Sequence, residues 1–133
     1  MPKEVIRTDN APAPIGPYSQ AIKAGDLVFI SGQIALVPGT DTLLTDNIID
    51  EAHQVMKNLQ AILTEAGLNF GNVVKTNIFL SDMSLFAAVN DVYGEYFTVD
   101  MPGSETAYPA RETVAVKTLP KNVNVEISMI ASS

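Results

Sequence analysis

Arginine is scarce in this chain, and one of its two guanidinium groups stands where an anion could bind. Arg7 lies near the start of the chain, whereas Arg111 ends the segment YPAR (108–111), where a proline-containing loop enters a predicted strand. A guanidinium presents a planar fork of N–H donors that matches a carboxylate or a phosphate. Arg111 is therefore a candidate anion-binding residue, and a salt bridge to Glu105 or Glu112 is an equally weighted alternative.

A second ionisable group, Glu126, is the only acid within the last predicted strand. Its side chain faces away from the apolar row of that strand, because successive residues of a strand point to opposite faces. Glu126 could line a cleft together with Arg111, or it could remain an exposed carboxylate at a sheet edge. The spacing of the residues does not decide between the two.

The composition limits the available chemistry to carboxylates, tyrosines, hydroxyls, backbone amides and arginine. The chain has no cysteine, which excludes disulfides, thiolate metal sites and cysteine nucleophiles. Its one histidine, His53, excludes a metal site of several histidines within one chain. We expect His53 to be a partly exposed residue of the first helix. Glycine-rich phosphate loops and the GxSxG motif of serine hydrolases are also absent from the sequence.

Size and charge indicate a globular protein that binds neither nucleic acids nor membranes. Of the 133 residues, 47% are hydrophobic and 17% charged, so we expect one domain over residues 1–133. The net charge of −7 argues against nonspecific binding of DNA or RNA, which requires cations to neutralise phosphates. The longest uncharged stretch, residues 27–40, is too short and too rich in Gly and Pro to span a bilayer. Because the start lacks an apolar signal segment, we expect a cytoplasmic location.

The elements that must position these side chains follow from the hydrophobic pattern. Strands are predicted over residues 3–7, 20–23, 27–31, 72–80, 112–118 and 123–130, and helices over 47–66 and about 84–98. Gly32 interrupts the third strand and predicts a bulge or a close backbone approach. The order β-β-β-α-β-α-β-β predicts a two-layer α+β domain with both helices on one face of a mixed sheet.

The second face of this predicted sheet also carries apolar side chains, and no element remains to cover it. A small protein seldom leaves such a face in contact with water. We therefore expect a symmetric homo-oligomer that closes the sheets of several subunits around a common axis.

Six segments of the chain carry a family resemblance. They are NAPAPIGPYSQA (10–21), DLVFISGQI (26–34), NLQAILTEAG (58–67), VVKTNIFLSDM (73–83), FAAVNDVYGEYF (86–97) and YPARETVAVKTLPKNVNVEISMIA (108–131). In this order they resemble the RidA/YjgF family, the reactive-intermediate (imine and enamine) deaminases. The motifs IGPYSQ, SGQI, VNxxY and YPAR with a later VEI are jointly specific for that family.

The resemblance implies a chorismate-mutase-like α+β fold and a homotrimer whose sheets form a central barrel. It also implies three active sites at subunit interfaces, each built from two chains. The implied reaction is hydrolysis of 2-aminoacrylate-type enamines and of 2-imino acids, such as 2-iminobutanoate and 2-iminopropanoate, to 2-keto acids and ammonia. Neither a metal nor an organic cofactor is implied.

The resemblance also implies roles for three catalytic residues. Arg111 would clamp the substrate carboxylate bidentately, and Glu126 would hold or activate the attacking water. Tyr18 would line the cleft and take part in proton transfer; alternatively, it anchors its loop against the body of the protein.

Four further residues would bind the substrate. The backbone amides of Gly32 and Thr113 would bind the imine or keto end, and Ser31 and Asn90 would line the pocket. Alternatively, Gly32 only permits a bulge, and Asn90 only forms a hydrogen bond within its helix.

Two residues depart from the family pattern. Thr113 stands where the family commonly has a cysteine; a threonine preserves a backbone amide but changes the pocket wall. Glu112 replaces a small residue, and we expect its side chain on the opposite sheet face from Arg111.

An alternative function is that of a non-catalytic trimer that binds small carboxylates and modulates amino-acid metabolism. A ribonuclease, an activity reported for some relatives, is disfavoured by the net charge and by the single histidine.

Overall fold

The computed structural model describes residues 2–100 and 108–133, and within them six strands form one sheet beside two long helices. The strands are β1 (Glu4–Ile6), β2 (Ala21–Ala24), β3 (Leu27–Gln33), β4 (Val73–Leu80), β5 (Ala110–Ala115) and β6 (Val125–Ser132); the helices are α1 (Ile48–Glu65) and α2 (Phe86–Asp100). The sheet order is β1-β2-β3-β6-β4-β5. Only the pairing of β4 with β5 is parallel among the described strands, so the predicted mixed sheet is confirmed.

Sequence and cap residues explain where α1 begins and ends. The Asn47 side chain accepts a hydrogen bond from the backbone N–H of Asp50 and so caps the first turn. Gly67, just beyond the C-cap Ala66, has a φ of 76°, which a glycine adopts without a steric penalty. Apolar side chains spaced three and four residues apart are buried against the sheet, as predicted for an amphipathic helix.

Both helices lie on the same face of the sheet, as expected. The inward residues of β6 (Val125, Ile127, Met129 and Ala131) are buried in one core with the apolar stripe of α1. α2 reaches β4 through the Tyr93 hydroxyl, which donates a hydrogen bond to Thr76 Oγ1 at 3.0 Å. Neither described helix has the length and apolar character that crossing a membrane requires.

The opposite sheet face is covered by no helix of residues 2–100 and 108–133. Phe29 is 42% exposed and Val114 47% exposed, and Leu27 and Val5 are exposed as well. Along β3, Leu27 and Phe29 alternate with buried residues, and the pairing register across the sheet places Val5 and Val114 on the same face as Phe29. The expectation of an uncovered apolar sheet face is therefore confirmed.

Several strand boundaries differ from the prediction. β5 spans Ala110–Ala115 rather than 112–118, because it pairs with β4 from Lys75 to Leu80 and β4 ends there. β6 starts at Val125 rather than 123, because residues 120–122 form a turn that precedes it. β3 continues past Ser31 to Gln33 through a shift in register with β6 at the position of Gly32. The predicted bulge at Gly32 is thus confirmed.

Candidate active site

Four of the seven candidate residues line one groove on the open side of the sheet. This groove encloses about 600 Å³ between the N-terminal loop, the bulge of β3 and the turn before β6. Tyr18, Ser31, Gly32 and Glu126 line it, together with Lys121. Apolar atoms supply most of the remaining wall, from Pro12, Ala13, Ile15, Ile34, Leu36 and Pro120.

The N-terminal loop that forms one wall is held by a single buried amide. The Gln20 side chain donates to the carbonyl oxygens of Thr8, Ala11 and Pro12 at 3.0, 3.3 and 2.8 Å, and its Oε1 accepts from the Thr8 N–H at 2.8 Å. Ser31 ties the loop to β3, because its Oγ donates to the Ser19 carbonyl at 2.6 Å. The groove therefore has a defined wall within a single chain.

Tyr18 stands at the mouth of this groove with half of its surface exposed. Its hydroxyl accepts a hydrogen bond from the Ile15 N–H at 3.1 Å, so the phenol braces its own loop. This contact lies within the loop, so anchoring of the loop against the body of the protein stays an alternative for Tyr18. Because the same hydroxyl remains a donor and lines the groove, the proposed proton-transfer role is compatible with this contact.

Glu126 is half-buried and lies directly over the bulge of β3. A Cβ atom at Gly32 would lie 2.5 Å from Glu126 Oε2 and 2.9 Å from its Cδ, so only glycine leaves room for the carboxyl group. Burial raises the pKa of Glu126 above its ordinary value. A carboxyl group with a raised pKa is better suited to accept and return a proton near neutral pH.

A second, separate groove surrounds Arg111. It encloses about 320 Å³ and is lined by Asn90, Tyr93, Gly94, Tyr108, Pro109 and Arg111. The Arg111 guanidinium carbon lies 5.1 Å from the ring centre of Tyr93 and 5.6 Å from that of Phe86. Cation–π contacts of this kind hold a guanidinium without neutralising it.

No acidic side chain among the described residues pairs with Arg111. Glu112 instead forms an ion pair with Lys75, at 3.0 Å between Nζ and Oε1. The alternative of an Arg111–Glu112 salt bridge is therefore wrong, since neighbouring strand residues point to opposite faces, as expected for Glu112. Glu105, the other alternative partner, lies outside the described residues.

Tyr93 remains a neutral neighbour of Arg111. Burial raises the pKa of the Tyr93 phenol, although its hydrogen bond to Thr76 and the charge of Arg111 partly offset this effect. A phenol with a raised pKa stays protonated at neutral pH. The Arg111 groove therefore keeps its positive charge available for an anion.

Thr113 lies two residues beyond Arg111 on the same sheet face. Its Cα is paired with Ile78, whereas that of Arg111 is paired with Thr76, and both partners point toward the helices. The Thr113 Oγ1 is buried and has no hydrogen-bond partner within the described part of the chain. Such an unsatisfied hydroxyl is uncommon in folded proteins.

The two grooves lie on opposite faces of the sheet. Arg111 is in register with Thr76, which is buried beneath α2, whereas Glu126 is in register with Phe79 on the open face. One chain therefore does not bring Arg111 and Asn90 together with Glu126, Tyr18, Ser31 and Gly32. The interpretation in which Arg111 and Glu126 line one cleft of the same chain is wrong.

Sequence reasoning missed Lys121, the one cation that the described part of the chain contributes to the Glu126 groove. It lies in the turn before β6, where Lys121 and Asn122 have φ values of 54° and 58°. A positive φ is uncommon for residues other than glycine and marks a strained turn. The sequence LPKN contains no glycine that would signal this conformation.

His53 takes no part in either groove. Its Nδ1 is 2.8 Å from the Tyr96 hydroxyl, its Nε2 is 3.7 Å from Glu95, and its side chain is 34% exposed. The prediction of a partly exposed helix residue is confirmed. It borders a smaller cavity of about 220 Å³ on the helix side. Within the described ranges, no three His, Asp or Glu side chains are grouped closely enough to hold a metal ion.

Comparison with known proteins identifies the family. A family model described as Endoribonuclease L-PSP matches residues 8–133. The chain belongs to this family, the YjgF/RidA family. The predicted family resemblance is thereby confirmed, and the family's members include proteins named as deaminases.

Individual relatives match over nearly the whole chain. A RutC family protein of Pyrococcus horikoshii is 49% identical over 97% of both chains. The 2-iminobutanoate/2-iminopropanoate deaminase of Mus musculus is 43% identical over 97% of this chain and 90% of its own. The solved structure of Escherichia coli TdcF with bound serine is 38% identical, has a TM-score of 0.88 and covers 98% of both chains.

Proposed function

We propose that this protein is a 2-iminobutanoate/2-iminopropanoate deaminase, which hydrolyses 2-imino acids and their enamine tautomers to 2-keto acids and ammonia. The observation that carries the proposal is the Arg111 guanidinium, held by Tyr93 and Phe86 and unpaired with any acid of the described residues. A guanidinium in this state binds a carboxylate through two parallel hydrogen bonds. Every 2-imino acid carries such a carboxylate beside the reacting carbon.

We further propose a homotrimer in which each active site combines the two grooves from neighbouring chains. Arg111, Asn90 and Thr113 of one chain would face Tyr18, Ser31, Gly32 and Glu126 of the next. The uncovered apolar face supports this assembly, because a central barrel of sheets would bury Leu27 and Phe29. The location of the two grooves on opposite faces supports it as well.

The proposed reaction divides between these two groups of residues. Arg111 orients the substrate through its carboxylate, and the backbone amides of Gly32 and Thr113 bind the imine end. Glu126 accepts a proton from water as the water oxygen bonds to the imine carbon, and it returns the proton to the nitrogen. As the carbon–nitrogen bond then breaks, Tyr18 donates a proton to the nitrogen and Glu126 accepts the hydroxyl proton, so ammonia leaves and the carbonyl of the 2-keto acid forms. The proton on Glu126 then passes back to the Tyr18 phenolate, which restores both groups.

Tyr18 is the proposed proton donor in this sequence of steps. A phenol is a poor base at neutral pH but can donate its O–H proton. Because imines hydrolyse readily in water, the site needs orientation and a positioned water more than a strong nucleophile. The proposed reaction requires neither a metal nor an organic cofactor.

The test is to generate imines with an amino-acid oxidase and to follow their decay with and without this protein. We expect faster decay with the native protein and a loss of about a hundredfold in kcat/KM in Arg111→Ala, because two charge-assisted hydrogen bonds are removed. Arg7→Ala is the matched control, since Arg7 is exposed and pairs with Asp9. An Arg111→Ala variant as fast as the native protein would contradict the proposal.

The alternative function as a carboxylate-binding trimer has one specific observation in its favour. The similar structure of TdcF contains bound serine, an amino acid with a free carboxylate. Calorimetric titration with 2-ketobutyrate and with serine separates the two functions. Saturable binding that depends on Arg111, without any acceleration of imine decay, would favour the binder over the deaminase.

A further inference from the structure

A carboxylate outside both grooves is buried in the helix layer. Glu51, in the first turn of α1, has no exposed surface. Its Oε2 accepts hydrogen bonds from the backbone N–H groups of Asn124 and Val125 at 2.7 and 3.1 Å, and its Oε1 accepts from the Asn124 side-chain amide at 2.9 Å. No cation of the described residues forms an ion pair with it.

These three hydrogen bonds act on the two residues that precede Glu126. Asn124 is held from the other side by Ser81, whose N–H donates to its carbonyl at 2.9 Å and whose Oγ donates to its Oδ1 at 3.1 Å. Asn124 is therefore bound through its backbone and its side chain, to α1 and to the end of β4. Asn124 lies between the strained turn at Lys121 and Asn122 and the first residue of β6, Val125. Its hydrogen bonds therefore fix the direction in which β6 starts.

A buried charge without a counter-ion is costly unless several hydrogen bonds satisfy it. An apolar side chain would fill the same space in α1 without that cost, but it could not bind the two backbone N–H groups. The carboxylate at position 51 therefore holds residues 124 and 125 in place, which apolar packing alone would not do. The residue next in line is Glu126, whose carboxyl group must lie over Gly32.

We propose that Glu51 is a positioning residue that fixes the start of β6 and thereby holds the Glu126 carboxyl group in its groove. The inference rests on the proposed function only for its kinetic consequence, since the position of Glu126 can be measured without any substrate. Glu51 touches neither groove, so it acts through Asn124 and Val125 alone.

The kinetic test compares three Glu51 variants. In Glu51→Ala we expect kcat to fall about tenfold or more, because the Glu126 carboxyl group is displaced. We expect KM to change less than about twofold, because the substrate carboxylate is bound by Arg111 of the neighbouring chain, which Glu51 does not contact. Leu63→Ala is the control. Leu63 is a buried residue of α1, so its truncation destabilises the helix layer, but Leu63 forms none of the hydrogen bonds that hold residues 124–125.

The conservative variants separate geometry from charge. Glu51→Gln has the same length: its oxygen can accept both backbone N–H groups, and the Asn124 amide can turn over to accept from the new NH₂ group. We therefore expect kcat of Glu51→Gln within about threefold of the native value. Glu51→Asp keeps the charge but is one methylene shorter, so it should remain as impaired as Glu51→Ala. Equal kcat in Glu51→Ala and Leu63→Ala would overturn the inference.

A substrate-free measurement keeps the inference separate from the proposed function. Carbon-13 NMR titration of the Glu126 carboxyl group reports whether that group is still buried. We expect the pKa of Glu126 to fall toward its ordinary value in Glu51→Ala and Glu51→Asp, and to stay unchanged in Glu51→Gln and Leu63→Ala. Lys121 and Tyr18, the other ionisable groups of the groove, are the same in all variants.

The outcomes are distinguishable. If native protein fails to hydrolyse imines, the proposed function fails, and the titration alone decides whether Glu51 positions Glu126. If native protein is active and the Glu126 titration is the same in Glu51→Ala as in the native protein, the positioning inference is overturned while the function stands.

Discussion

The carboxyl group of Glu126 occupies the space that any side chain at Gly32 would need. A Cβ at that position would lie 2.5 Å from Oε2, well inside van der Waals contact. The atom it would meet is the end of a flexible side chain rather than the backbone. Substitution at Gly32 therefore moves the Glu126 carboxyl group before it disturbs the sheet.

For Gly32→Ala we expect a small loss of stability, less than about 1 kcal/mol, and a fall in kcat of about tenfold or more. Urea unfolding and the imine-decay assay measure the two effects. A double-mutant cycle with Glu126→Ala provides the control, because the stability cost of Gly32→Ala should vanish once the carboxyl group is gone. An additive cycle would show that the two residues do not compete for space.

The raised pKa of Glu126 predicts a pH-dependent stability. The folded chain holds the proton of Glu126 more tightly than the unfolded chain does. The stability that this proton contributes is fully present below the ordinary pKa of 4.5 and is lost as the pH rises through the raised pKa of the folded state. Glu126→Gln cannot ionise. We therefore expect its Tm, relative to native protein, to increase as the pH rises from 4.5 toward neutrality. Thermal unfolding across this range measures it, and the exposed Glu65→Gln serves as the control; a constant difference in Tm would contradict the prediction.

The unpartnered hydroxyl of Thr113 predicts a stabilising substitution. Thr113→Val keeps the shape of the side chain and removes a buried group that lacks a hydrogen bond within the described residues. We expect the free energy of unfolding to rise by about 1 kcal/mol, measured by urea unfolding at one fixed protein concentration. Thr118→Val, at an exposed position, should change little. A lower stability in Thr113→Val would reveal a partner for this hydroxyl in the assembled protein.

The location of Arg111 and Glu126 on opposite sheet faces predicts complementation between inactive subunits. Arg111→Ala and Glu126→Gln should each be nearly inactive alone. When both are unfolded and refolded together as random trimers, about a quarter of the sites should combine an intact Arg111 with an intact Glu126 from neighbouring chains. The imine-decay rate of the mixture measures this recovery.

Two controls accompany this experiment. The variants refolded apart and then combined test whether subunits must assemble together. When native protein is refolded with an equal amount of the double variant, about half of all sites in the mixture should be intact if each site lies in one chain, and about a quarter if each is shared. No recovery in the co-refolded mixture would contradict the shared site.

Much of the fold could be predicted because the local patterns agree with it. The helical spacing of α1 and the strict alternation of β6 each have a single structural solution, and both are present. The glycine at position 32 indicated a bulge or a close backbone approach, and the bulge is present. The ends of β5 could not be predicted, because they depend on where its partner β4 ends. That is a property of long-range pairing and not of the local sequence.

The candidate site was predictable in its residue types but not in its arrangement. Strand alternation places Glu126 away from the core, but it does not show that Arg111 lies across the sheet from it, since that depends on the pairing of β5 with β4. Glu51 could not be found from the sequence. An acid in the first turn of a helix is ordinary there, because it interacts favourably with the helix dipole, and its burial depends on the tertiary structure.

Gln20 limits how the groove can vary. One side chain satisfies carbonyl groups at three points of the N-terminal loop, so an insertion between residues 8 and 12 would leave buried oxygens without a donor. Changes in the size of the accepted molecule are therefore easier to obtain by exchanging side chains that face the groove, such as Ala13 and Ile15, than by lengthening the loop. Those two positions are the natural starting points for redesigning selectivity.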